Sequence, residues 1–193
     1  MLIKYYFKIL TILTIFFVIA GCSNHLTYDE LISVLPSTRS NSKFSRPTMK
    51  YDISLPKELK LVEEDNYNDT LWFEIYVDST IAYEKGSNTI SIMRFLSEEK
   101  TTKAAWKKLM SKRMMIENFK IHSEGKTNFL NYPSYYEHAS CTISKQNTES
   151  ISFLVQGKTS DFYLISVQTI TEGDYPTNIK KLLSGVRTFN ILK

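Results

Sequence analysis

Two cysteines, three histidines, six glycines and five prolines are all that 193 residues contain, and each scarcity removes a class of protein. Six glycines leave little from which to build a loop that wraps phosphate, and no Walker loop, dinucleotide-binding glycine pattern or G-x-S-x-G is present. The histidines, His25, His122 and His138, have no HExxH spacing. His122-Ser123-Glu124 has the H-x-E start of a zinc deaminase site, but the P-C-x-x-C that would complete the zinc ligands is missing. Glu63, Glu64, Asp65 and Asp69 lack the glycine and the closing glutamate of a calcium loop, so they read as a solvated, charged loop. No catalytic residue, metal ligand or cofactor-binding residue is assigned, and the expectation is that the chain is not an enzyme.

What is present begins at the amino terminus. Lys4 and Lys8 precede a largely apolar run from Ile9 to Ala20, too short to span a bilayer with confidence, which needs about 20 apolar residues. A basic start, a short apolar run and small residues form the tripartite pattern of a secretory signal. Its last residues, Ile19-Ala20-Gly21-Cys22, resemble the lipobox of bacterial lipoproteins. That resemblance implies cleavage between Gly21 and Cys22, a diacylglyceryl group on the Cys22 thiol, and an acyl chain such as palmitate on the new amino group. Two or more acyl chains hold a protein on a membrane where one binds only marginally. Ser23 rather than Asp follows, and no acidic run does, so inner-membrane retention and surface-export signals are missing. The expected location is the outer membrane facing the periplasm, with the cell membrane or the cell surface as alternatives.

With Lys4 and Lys8 removed, the formal charge falls from +4 to about +2, too little for a concentrated basic face, and a nucleic-acid partner is not expected. Residues 22–193 suffice for one domain with its own core. With Cys22 acylated, Cys141 has no partner for an internal disulfide. Residues 22–47 read as the lipidated cysteine and a flexible tether with at most one turn of structure, and residues 48–193 as the domain.

Within that domain, strands are predicted at 51–55, 72–77, 80–83 and 88–95, the last two joined by a hairpin at Glu84-Lys85-Gly86-Ser87. The period then becomes helical over 101–118, with Ala105, Trp106, Leu109, Met110, Met114 and Ile116 on one arc. Strands follow at 119–123, 135–143, 150–156 and 162–169, and a closing helix from Pro176 places Ile179, Leu182, Leu183 and Val186 on one side. The links are too short for parallel crossovers, so the fold class is α+β: an antiparallel β-sheet flanked by two main helices. Tyr51-Asp52-Ile53-Ser54-Leu55-Pro56, the helix around Trp106, Asn131-Tyr132-Pro133-Ser134-Tyr135-Tyr136 and the ending Arg187-Thr188-Phe189 together resemble the PsbP/Mog1-like domain over about residues 48 to 191. The resemblance implies an α/β/α sandwich and no shared catalytic residues.

The remaining candidates are single side chains. Cys141 and His138 point to opposite faces of a strand, so Cys141 reads as core rather than as a nucleophile. Arg113 interrupts the apolar arc of its helix, with its stem along the core edge. Lys103, Lys107, Lys108 and Lys112 form i,i+4 rows on the same helix, and Asp69-Thr70-Leu71 resembles a bacterial O-glycosylation acceptor. Tyr132 and Tyr136 are candidates to face outward as a partner-binding edge, since tyrosine offers large contact area at little entropic cost. The function expected is a membrane-anchored envelope lipoprotein with a non-enzymatic binding or scaffolding domain that supports a protein partner. A lipid-anchored enzyme or a small-ligand binder with an unrecognised site is the alternative.

Overall fold

The computed structural model describes residues 26–38, 41–68, 70–80, 88–111, 116–158, 160–172 and 174–192. In chain order the elements are α1 (Tyr28–Ser33), β1 (Ser42–Arg46), β2 (Tyr51–Leu55), β3 (Leu59–Asn68), β4 (Leu71–Asp78), β5 (Thr89–Leu96), α2 (Thr102–Met110), β6 (Lys120–Thr127), β7 (Ser134–Ile143), β8 (Gln146–Gln156), β9 (Asp161–Ile170), α3 (Tyr175–Val186) and β10 (Asn190–Ile191). Gly21 and Cys22, His25, Asp69, the hairpin turn at 84–87 with most of the strand expected at 80–83, and Arg113 all lie outside the described residues.

Seven strands form one antiparallel sheet in the order β3-β4-β5-β9-β8-β7-β6, and β1-β2-β10 form a smaller one. The step from β5 to β9 brings the two meanders together, with Ile90 opposite Val167 and Ile92 opposite Ile165. On that face Ile151, Phe153, Val155, Tyr163, Ile165 and Val167 form a core closed by α1, α3 and the small sheet. In α3, Ile179, Leu182, Leu183 and Val186 recur at helical spacing and are buried, and Pro176 occupies its first turn, as the periodicity predicts. Gly185 is required where α3 crosses β2. A β-carbon there would lie 3.1 Å from Pro56 Cδ and 3.2 Å from the Ser54 carbonyl oxygen.

Three expectations are corrected. Residues 26–33 and 42–46 are not a free tether. Thr27 and Glu30 form a reciprocal capping box that starts α1, Tyr28 and Leu31 are buried in the core, and β1 pairs along the whole of β2. Burial pushes the Tyr28 hydroxyl up to about 12. The acidic stretch is not a loop: Glu63, Glu64 and Asp65 lie in β3, whose two register shifts hide its alternation. Charges on an edge strand discourage pairing with other chains. The middle helix stops at Met110 rather than Asn118. The Ser111 hydroxyl bonds back to the Lys108 carbonyl, and Asn118 adopts a left-handed φ of 51° that no helix continues.

Candidate functional site

Side chains alternate across the large sheet, so the face opposite the core has its own content. At one end of that face Ala105 and Trp106 of α2 pack on Tyr135, Leu154 and Phe162, with Thr101 capping the helix through the Ala104 N–H. At the other end of the same strands α2 is absent. There Phe73, Ile75 and Val77 of β4 line a cleft of about 400 Å³ together with Thr89, Gln168, Ile170 and Ile143. Two apolar side chains that line it are left in water, with Val62 61% exposed and Ile143 42%. Scattered exposed apolar residues are ordinary, but a cluster on one face marks a contact surface. Sequence reasoning missed this surface. The apolar, aromatic run of β4 is visible in the sequence, but the end of the strand at which α2 stops is set by tertiary packing.

Buried polar groups elsewhere hold the layers together. Glu74 is fully buried between the two sheets and accepts from Arg46 Nε at 2.6 Å, from the Tyr51 hydroxyl, and from the Tyr76 hydroxyl at 2.9 Å. Arg46 also meets Glu64 of β3 at 2.6 Å. Burial first, and then neighbouring Tyr76 and Glu74, push the Tyr51 hydroxyl far above the usual phenol range. Arg94 is likewise buried, donating to Asp161 at 2.9 Å and to the Thr48 carbonyl, with its guanidinium 4.3 Å from the centre of the Trp72 ring. Both arginines are layer-to-layer ties.

Among the described residues, the grouping that invites a catalytic reading is His122, His138, Ser140 and Glu149. His138 Nε2 contacts Glu149 Oε1, while His122 Nε2 lies 2.9 Å from Ser140 Oγ and 4.0 Å from the same carboxylate oxygen. A nucleophile–base–acid relay needs the two imidazole nitrogens to serve different partners. Here one nitrogen of His122 lies near both Ser140 and Glu149, which is a shared contact and not that division of roles. The H-x-E pair is also split. The register shift at Ile121/Ser123 turns His122 toward His138, while Glu124 lies opposite Glu137 on the other face. Among the described residues no three His, Cys, Asp or Glu side chains are placed to hold a metal.

Cys141 is buried and free, its sulfur 3.1 Å from Thr148 Oγ1, on the face opposite His138 as strand alternation predicts. Lys103, Lys107 and Lys108 are exposed on α2, with Lys108 3.6 Å from Glu99. Tyr132 and Tyr136 are both half-buried, each packed against the core and engaged by a neighbouring element. The Tyr132 hydroxyl donates to Asn190 Oδ1 and accepts from the Ile191 N–H, fixing β10. Tyr136 stacks on Tyr28 of α1 with ring centres 3.7 Å apart. Among the described residues no helix is long and apolar enough to cross a membrane.

Neither a family model nor a curated protein sequence matches the chain. Solved structures do. Cyanobacterial PsbP from Synechocystis sp. PCC 6803 matches with a TM-score of 0.57 at 10% identity over 79% of this chain and 92% of that one. The Ran-binding protein Mog1p of Saccharomyces cerevisiae matches with a TM-score of 0.52 at 13% identity over 83% and 97%. The fold is the PsbP/Mog1-like α+β sandwich. LpqN of Mycobacterium tuberculosis, described as involved in cell envelope biogenesis, matches with a TM-score of 0.53 at 9% identity over 89% and 100%. A protein of Bacteroides thetaiotaomicron matches with a TM-score of 0.55 at 12% identity over 80% of this chain, which spans about half, 49%, of its length. Identities this low carry the sandwich alone.

Proposed function

We propose that this chain is a lipid-anchored protein of the bacterial envelope, cleaved before Cys22 and acylated on it, whose sandwich domain binds a protein partner without catalysing a reaction. The observation that carries the binding role is the uncovered half of the large sheet, where Val62 and Ile143 stand exposed on the cleft. The likeness to an envelope-biogenesis protein and to a Ran-binding protein supports the same reading. The anchor rests on the lipobox. Replacing Cys22→Ala is expected to leave an unlipidated chain that stays in the aqueous phase on detergent partitioning, and normal partitioning of that variant would remove the anchor.

For the partner, Val62→Ser combined with Ile143→Ser is expected to leave thermal unfolding nearly unchanged, since surface substitutions usually shift stability by about 0.5 kcal/mol or less each. Crosslinking in native membranes is then expected to lose most of the partner captured by the unaltered chain. Equal capture by the folded double variant would place the interface elsewhere. The cleft favours a second reading, a small apolar ligand, because its volume is at the lower end of ligand sites. Native mass spectrometry of the delipidated domain distinguishes the two.

A further inference from the structure

The amino-terminal end of the folded domain determines how it stands on a membrane, an inference that rests on the lipidation of Cys22 proposed above. Leu26 is already part of the fold: its N–H donates to the Tyr175 hydroxyl of α3 at 3.0 Å, and its side chain packs against the core. The capping box at Thr27 and the burial of Tyr28 and Leu31 fasten the next residues. Only Ser23, Asn24 and His25 separate this point from the lipid-bearing residue. Four steps of fully extended chain reach about 14 Å, at 3.3–3.6 Å per residue. A flexible tether of 25 residues would instead average about 25–30 Å.

The reach selects one orientation. Leu26 belongs to the layer of α1 and α3, whereas α2 stands on the opposite face of the large sheet. Layers pack about 10 Å apart and a helix adds a radius of about 5 Å, so the outer surface of α2 is about 25 Å from α1. A chain that reaches about 14 Å cannot lay that side on the bilayer holding its own anchor. We infer that the α1–α3 layer is the membrane-facing surface, and that the open half of the large sheet is turned to the aqueous side. Charge does not decide the orientation, because Asp29, Glu30 and Asp174 on this layer are matched by Lys180, Lys181 and Arg187. The short covalent reach does.

The test uses the full, lipidated chain in phosphatidylcholine vesicles that carry a quencher on a fraction of the headgroups. With Cys141→Ala as background, a fluorophore is placed through Val34→Cys, 73% exposed just after α1, or through Ile143→Cys on the open face. Quenching at position 34 is expected to exceed that at position 143 by at least twofold, and 25 Gly/Ser residues inserted between His25 and Leu26 are expected to abolish the difference. Intact mass and vesicle flotation are measured first. Absence of the lipid mass overturns the anchor and the orientation together. Equal quenching at the two positions, or stronger quenching at 143, in a chain that is lipidated and floats overturns the orientation alone.

Discussion

At the scale of single residues, three positions link local chemistry to stability. Gly185 faces backbone that cannot retreat, because the Ser54 carbonyl it would strike is also held by Asn41 Nδ2 at 3.0 Å and by the Thr188 hydroxyl. Alanine gains about 1 kcal/mol of helix propensity over glycine, but overpacking costs about 1–3 kcal/mol. Gly185→Ala is therefore expected to lower stability by about 1 kcal/mol in denaturant unfolding, and an unchanged midpoint would show that the crossing relaxes. Arg46→Leu strands the buried Glu74 carboxylate. Removing one member of a fully buried pair costs about 3–5 kcal/mol, and the partial exposure of Arg46 reduces the expectation to about 2–4. Arg46→Leu with Glu74→Leu is expected to lose less than Arg46→Leu alone. At Asp78, burial opposes the charge, but bonds from the Thr80 hydroxyl and N–H outweigh it and hold the pKa below the usual carboxylate range. The sign follows: a carboxyl lowered on folding stabilises above its unfolded pKa of 3.8, and that contribution is lost as the pH falls through the folded value. Acid unfolding of Asp78→Asn is therefore expected to depend less steeply on pH below about 4.

At the scale of elements, α1 is where the fold departs from the pattern of its sequence. Six residues are far too few to make a stable isolated helix, so its apolar positions lack the repeated period that would identify them. Its stability comes from the capping box and from Leu31, buried beneath α3. Leu31→Ala is expected to cost about 2–5 kcal/mol, and Thr27→Ala about 0.5–2 kcal/mol, in thermal unfolding. A chain starting at residue 48 would lose α1 and β1, and it is expected to unfold at clearly lower temperature. Retention of the full transition would restore the tether. The long elements that were legible carry a plain signal: β2 alternates, β4 is a short apolar and aromatic run, and α3 repeats its apolar face through three turns. β3 was not, since its bulges shift the alternation under three acidic residues, and β10 has only two residues from which to read a period.

At the scale of the whole molecule, the candidate surface comes from the difference between the two faces of one sheet. The core face is sealed by three elements that are distant in sequence, α1, α3 and the small sheet, while α2 covers only part of the other. The lipobox and the strand and helix periods are local patterns, and local physical chemistry suffices to read them: an apolar run, an obligatory thiol, a repeat of 2 or 3.6. The sequence by itself therefore determined the expected anchor, the α+β class and the core faces of β2 and α3. Only the tertiary structure decided that α1 and β1 join the domain, that Tyr132 and Tyr136 pack onto β10 and α1, and which half of the sheet stays open. Those outcomes depend on contacts between residues up to 149 positions apart, such as Leu26 with Tyr175. No local period records which distant segment arrives to cover a face.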